Sequence, residues 1–248
     1  MNLIGEHLSK NYDIDLQNLV NQFLKMAGMA EESVSNAVQA LTETDIELAE
    51  QVIENDRHIN LAEQELDDMV VKILVKRQPA AVDLRLIMAI SKSATDVERI
   101  GDEAKKIAKM ARRAYRDGQA PIGYHEAQQM GKFVQSMLKN TFEAFAKFEA
   151  AQAYTTIEQD EQIDAMYKSA SRAMMTYIME DGRYVAQVID VLWVLRALER
   201  IGAHIHNIAE QLIFCITGED VRYQKSSKTL DPTEMDASLF AVSEPPQL

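Results

Sequence analysis

Carboxylates four residues apart on a helix share a face, and Glu98 and Asp102 are such a pair. Like charges at that spacing destabilise a helix by about 0.2–0.5 kcal/mol, so something must offset them. Two explanations are open. One is local salt bridging: Lys105 and Lys106 follow one turn later, and Arg99 faces Glu103. The other is a divalent cation, because paired carboxylates on a rigid helix are hard oxygen ligands.

Upstream, Asp56, Asn60, Glu63 and Asp67 step by four, three and four and make an oxygen-rich stripe down one helix face. If the two helices form an antiparallel hairpin about residue 78, Glu98 and Asp102 lie level with residues near 54 to 58. Asp56 and Asn60 are then the nearest candidates to complete a site. Glu63 and Asp67 fall closer to Lys92 and Arg85, where ion pairing is the simpler reading. A solvated face is the bland alternative for the whole stripe.

The later part of the chain retains only part of this constellation. Asp160 and Asp164 correspond to Asp56 and Asn60, and Glu199 to Glu98, but Ala203 stands in place of Asp102. Tyr167 and Ser171 replace Glu63 and Asp67. His206 lies seven residues after Glu199, on a similar face, as a substitute ligand or as a surface or hydrogen-bonded histidine. A metal site in this half is expected to be weaker or absent.

Other chemistries lack their residues. Di-iron carboxylate bundles need Glu-x-x-His pairs, and the residues three before the five histidines are Ile4, Asn55, Ile122, Ile201 and Ala203. The sequence has no phosphate-binding P-loop, no H-E-x-x-H and no glycine-rich dinucleotide turn. The single cysteine, Cys215, sits among Leu212, Ile213, Phe214 and Ile216 and reads as a packing residue. No catalytic residue is expected, and the chain does not read as an enzyme.

These residues must be positioned by helices. Only 9 of the 248 residues are glycine and 5 are proline, and three of the prolines (Pro232, Pro245 and Pro246) fall near the end. Long uninterrupted helices follow. The first is expected from about Leu8 or Asp13 to Leu41, on an apolar period that includes Leu16, Leu19, Phe23, Leu24, Val34 and Val38. The second should open at Thr44, with Glu47 completing a capping box, and end at Gln78-Pro79. The third should start near Pro79 and stop near Gly118. A fourth is expected from about His125 to Ala151, and a fifth from a second capping box, Thr155 with Glu158, to about Glu180. The sixth should run from about Tyr184 to Gly218.

The two halves repeat. Val97-Glu98-Arg99-Ile100-Gly101 aligns with Leu198-Glu199-Arg200-Ile201-Gly202 at an offset of 101, and Glu54-Asn55-Asp56 aligns with Glu158-Gln159-Asp160 at 104. A three-residue indel near Pro79 reconciles the offsets. The chain thus reads as all-α: two tandem, pseudo-symmetric three-helix bundles, at 8–118 and 122–218, followed by a flexible tail at 219–248. On the third helix Ile87, Ile90, Ala94, Val97, Gly101, Ala104, Ala108 and Ala111 recur at steps of three and four. The small residues in this seam allow a close neighbour. Mid-helix glycine costs about 1 kcal/mol relative to alanine, so Gly101 and Gly202 should mark close helix contacts.

Apolar residues at 47% and charged residues at 26% are those of a soluble globular chain. The net charge of −13 repels nucleic acid and anionic lipid unless a local basic patch overrides it. No apolar run approaches a membrane span, and the start, MNLIGEHLSK, lacks the pattern of a signal peptide. A cytoplasmic location is expected.

The runs KRQPAAVDLRLIMAISKSATDVERIGDEAKKIA (Lys76 to Ala108), MTYIMEDGR (Met175 to Arg183) and LERIGAHIHNIAE (Leu198 to Glu210) resemble the PhoU family of phosphate-signalling proteins. The similarity spans roughly residues 8 to 223, including the duplication. The resemblance implies a pair of three-helix bundles, cytoplasmic and often homodimeric, that keeps the phosphate-starvation response off when phosphate is plentiful. It also implies two partners, the ATPase subunit of the phosphate ABC transporter and a sensor histidine kinase, with any membrane association running through them. Some members carry iron or zinc clusters on E/D-x-x-x-D motifs. Glu98-x-x-x-Asp102 matches that motif and Glu63-x-x-x-Asp67 has the same form, whereas Glu199 matches only its first position. A metal-dependent enzyme and a purely structural adaptor are the rival readings.

Overall fold

The computed structural model describes residues 10–118 and 122–222. Six long helices account for nearly all of them: α1 (Lys10–Glu43), α2 (Ile46–Arg77), α3 (Ala81–Arg116), α4 (Tyr124–Lys147), α5 (Ala150–Glu180) and α6 (Val185–Thr217), with a 3-10 turn at Gly182–Tyr184 before α6. There is no strand among the described residues. Most of the expected tail, and part of the expected Pro121 to Tyr124 loop, lie outside them.

Each helix forms because its apolar residues recur on one side. The whole expected seam of α3, from Ile87 to Ala111, is buried. On α1, Leu16, Leu19, Val20, Phe23 and Met26 are buried, but Leu24 only partly. Helices α1, α2 and α3 pack on one another, as do α4, α5 and α6. The two sets join where α3 lies along α6 and α1 along α4, and one continuous apolar core runs through both. Near the C-terminal end of α4, Phe23 of α1 meets Phe145 with ring centroids 4.5 Å apart. Cys215 is buried in this core, which pushes its thiol up to about 12.

Helix ends departed from expectation where local signals were misread. Thr44 does not cap α2; its backbone is left-handed (φ 58). Asp45 is the N-cap instead, accepting from the Leu48 amide at 3.0 Å. Thr155 does not open α5, which begins at Ala150. It lies inside the helix, with its hydroxyl turned back to the Ala151 carbonyl. Helix α4 stops at Lys147 rather than Ala151, because Phe148 takes a left-handed conformation (φ 53) with its ring against Phe145. Tertiary packing decides that boundary, not local propensity. Pro79 precedes α3 rather than starting it: Ala80 is the extended N-cap. Gln78 ends α2 as expected, in a left-handed C-cap. Residues 78–80, between α2 and α3, have no counterpart in the second copy and account for the difference between the two offsets, 104 − 101 = 3.

The mid-helix glycines of the two E-R-I-G runs, Gly101 and Gly202, are close-packing points, as expected. A Cβ on Gly101 would lie 2.9 Å from Ile59 Cδ1. On Gly202 it would come closer still to Ile163 Cδ1, and 3.3 Å from Ile163 Cγ2. Ile59 and Ile163 are themselves equivalent at the 104 offset, so each copy fastens its second helix to its third by the same isoleucine-in-glycine contact.

Candidate functional site

The α2–α3 hairpin brings Asp56, Glu63, Glu98 and Asp102 into one electrostatic neighbourhood. Burial, then Asp102, Glu63 and Asp56, push the Glu98 carboxyl up, against the charges of Arg99 and Lys105. Glu63 is also pushed up, first by burial and then by Asp67, against the hydrogen bond from Thr95 and the charge of Arg99. Glu63 therefore sits with Glu98, not with Lys92 as its level on the hairpin indicated. Arg85 does not turn to Asp67 either: its Nε donates to the Cys215 carbonyl of α6 at 3.4 Å.

The cations around this stripe also differ from the simplest expectation. Lys105 reaches across to α2 and pairs with Asp56 Oδ2 at 2.5 Å, and Asp56 is only 4% exposed. Lys106 turns away, to Glu103 on its own helix at 3.0 Å. Glu103 is met not by Arg99 but by Arg200 of α6, at 3.1 Å. Asp56 Oδ1 and Asn60 Oδ1 are buried without a hydrogen-bond partner. Two oxygens facing a repelling carboxylate group have the chemistry of hard-cation ligands. Among the described residues, however, no three His, Cys, Asp or Glu side chains are arranged as a ligand cage. The positive charge held against Asp56 here is the Lys105 ammonium.

In the second copy the same position carries a histidine. His206 is equivalent to Lys105 at the 101 offset, and Asp160 to Asp56 at the 104 offset. His206 Nδ1 lies 3.3 Å from Asp160 Oδ2, an ion-pair approach rather than an aligned hydrogen bond, and Nε2 lies 3.4 Å from Glu210 Oε1. The two carboxylates, Asp160 first, push the imidazole up to about 9. Glu199 is pushed up mainly by burial, with Asp164 and Asp160 adding to it, while Arg196, bound at 2.8 Å, opposes.

A polar seam that the spacing did not reveal runs between α3 and α6. His204 Nδ1 meets Asp96 Oδ1 at 2.8 Å, and Asn207 donates to the same oxygen at 3.1 Å. Glu103 meets Arg200, and Asp190 meets Arg113 at 3.2 Å. The numbers rise on α3 as they fall on α6, so the two helices are antiparallel. All three acids are buried. Their signal was available: Asp96 and Glu103 share a face with the buried Ile100 and Ile107, one step around α3 from the seam residues.

Comparison with known proteins assigns this architecture. The model of the PhoU domain matches residues 23–111 and 127–212, one match in each copy. A phosphate-specific transport system accessory protein PhoU homolog from Pseudomonas aeruginosa is 45% identical over 220 residues, covering 89% of this chain and 91% of its own. The accessory protein PhoU of Escherichia coli K12 is 35% identical over the same length and coverage. Among solved structures, PhoU from Pseudomonas aeruginosa superposes with a TM-score of 0.81 at 44% identity, over 84% of this chain and 100% of that one. The phosphate transport system regulatory protein PhoU from Streptococcus pneumoniae gives 0.78 at 32% identity, over 85% and 99%. With the duplicated helical unit, its paired glycine contacts and these matches over most of its length, the chain belongs to the PhoU family.

Proposed function

We propose that this chain is a negative regulator of the phosphate-starvation response and a modulator of phosphate uptake. It acts by protein–protein contacts, in the cytoplasm, between the ATPase subunit of the phosphate ABC transporter and a sensor histidine kinase. The observation that carries this reading is the match over 89% of the chain to relatives named as accessory proteins of phosphate-specific transport. The physical build agrees with it: a rigid bundle with long solvated faces can bind partners and bias their states. No helix among the described residues is long and apolar enough to cross a membrane, so contact with a transporter would run through partners. Deleting the gene should switch on a phosphate-starvation reporter in phosphate-rich medium, and the intact chain should restore repression. A reporter unchanged by the deletion would refute the reading.

A second reading concerns metal. The unpartnered oxygens of Asp56 and Asn60, beside the raised carboxyl of Glu98, favour a cation-binding role for the α2 and α3 stripe. Glu98, Asp102, Asp56 and Asn60 would hold a divalent cation, iron and zinc included, with Glu63 and Asp67 next along the stripe and Glu199 as the remnant in the second copy. Such an ion would neutralise the mutual repulsion of the cluster. Replacing both Glu98 and Asp102 by alanine should lower the metal found by elemental analysis; equal metal content in variant and wild type would exclude this role.

A further inference from the structure

The duplication supplies an internal control for the surface. The C-terminal half of α3 carries Lys106, Lys109, Arg113 and Arg116, and the same positions of α6, at the 101 offset, are Asn207, Glu210, Phe214 and Thr217. The helix is equally well formed without cations. Helix formation therefore does not require the basic run, which stands on a chain whose net charge is −13. The antiparallel pairing of α3 and α6 sets it beside more cations and an exposed apolar strip. Two ion pairs fix the level: Arg200 on Glu103 and Arg113 on Asp190. Between them, Lys109 is exposed on α3, and Trp193 and Arg196 are exposed on α6. Trp193, the chain's only tryptophan, is 64% exposed, and Ile189 one turn before it is 46% exposed.

We infer that this face of α3 and α6 is the docking surface for an acidic, partly apolar segment of a partner protein. Its composition favours a protein over a lipid surface. Arginine and tryptophan are the residues that dominate protein–protein hot spots, and lysine, which such interfaces avoid, is the minority cation here. The guanidiniums of Arg113 and Arg200 are held by buried acids, so they are presented at little entropic cost. Trp193 supplies the apolar anchor and the surrounding cations select a partner of opposite charge. The inference rests on the reading that the chain works through partner proteins.

The test measures the Kd of the full chain for the purified transporter ATPase subunit and for the purified cytoplasmic part of the sensor kinase. The variants are Trp193→Ala and the double variant Lys109→Glu with Arg116→Glu. The control is Lys132→Glu with Lys139→Glu, which changes net charge equally on α4. Circular dichroism verifies that each variant is folded. Both surface variants should weaken at least one of the two complexes tenfold or more, while the control stays within twofold of wild type. An unchanged Kd in the surface variants, or an equal loss in the control, would overturn the inference while leaving the proposed function standing. If wild type binds neither protein, the proposed function falls and this inference with it. A blue shift of Trp193 emission with phosphatidylglycerol vesicles, combined with protein binding that ignores the variants, would assign the face to anionic membrane instead.

Discussion

Lys105 and His206 occupy equivalent positions in the two copies, and each neutralises the equivalent aspartate, Asp56 at 2.5 Å and Asp160 at 3.3 Å. One acid on the second helix of each unit, buried in the first copy and partly exposed in the second, is thus matched by one cation from the third. The first copy uses an ammonium, and the second an imidazole that loses its charge as pH rises through about 9.

That difference predicts a pH dependence confined to the second copy. The imidazole of His206 is raised from its ordinary value of 6.5 to about 9, chiefly by Asp160 and then Glu210. A raised cationic group contributes stability in full below its unfolded value and loses it as pH rises through the folded one. His206→Gln should therefore cost about 1–2 kcal/mol at pH 6, with the difference from wild type shrinking toward zero by pH 10. Denaturant unfolding at several pH values reads this directly. A difference that stays constant over that range would remove the charge from the account.

The glycine contacts make a second prediction, in which packing opposes propensity. Alanine at Gly101 or Gly202 gains about 1 kcal/mol of helix propensity. At Gly202 the new methyl must displace the fully buried Ile163, a clash of the kind that costs about 1–3 kcal/mol. Gly202→Ala should accordingly be the more destabilising of the two. Ile163→Val, which removes the offending Cδ1, should recover part of the loss when combined with it. Additive effects in that double variant would show the two sites to be independent.

At the start of α2 the two candidate caps are separable. Asp45→Ala should cost about 1 kcal/mol through loss of the bond to the Leu48 amide. Thr44→Gly should stabilise, because a β-branched residue is held at φ 58. Thermal unfolding of the two variants should shift in opposite directions.

These caps also show where the sequence was readable and where it was not. Periodicity placed six helices and the duplication, because 3.6-residue spacing and the paired E-R-I-G runs need no knowledge of partners. Thr155 misled because a Thr-x-x-Glu spacing recurs by chance inside helices, and Thr44 because it stands one residue before the true cap, Asp45; only the backbone conformation separates these cases. The hairpin level correctly joined Asp56 to Glu98. It misplaced Glu63, because the turn at residues 78–80 sets Gly101 against Ile59 and so brings Glu98 level with the residue next to Glu63. For Asp96 the spacing carried its place on a buried face but not its partner: His204 is 108 residues away, across a packing of α3 on α6 that periodicity does not specify.

That pair should be energetically coupled. Asp96 is buried and shared by His204 and Asn207, so Asp96→Ala strands both partners. A double-mutant cycle of Asp96→Ala with His204→Ala should return a coupling of about 0.5–3 kcal/mol. A coupling indistinguishable from zero would mean that the seam between the copies is held by its apolar contacts alone.

The central claim, that this member of the PhoU family regulates by binding partners, is tested most directly by a pull-down. The tagged full chain is presented with the phosphate transporter's ATPase subunit and the sensor histidine kinase, with and without phosphate. The account predicts that both are retained and that phosphate changes the amount of at least one. Retention of neither partner in either condition would contradict it.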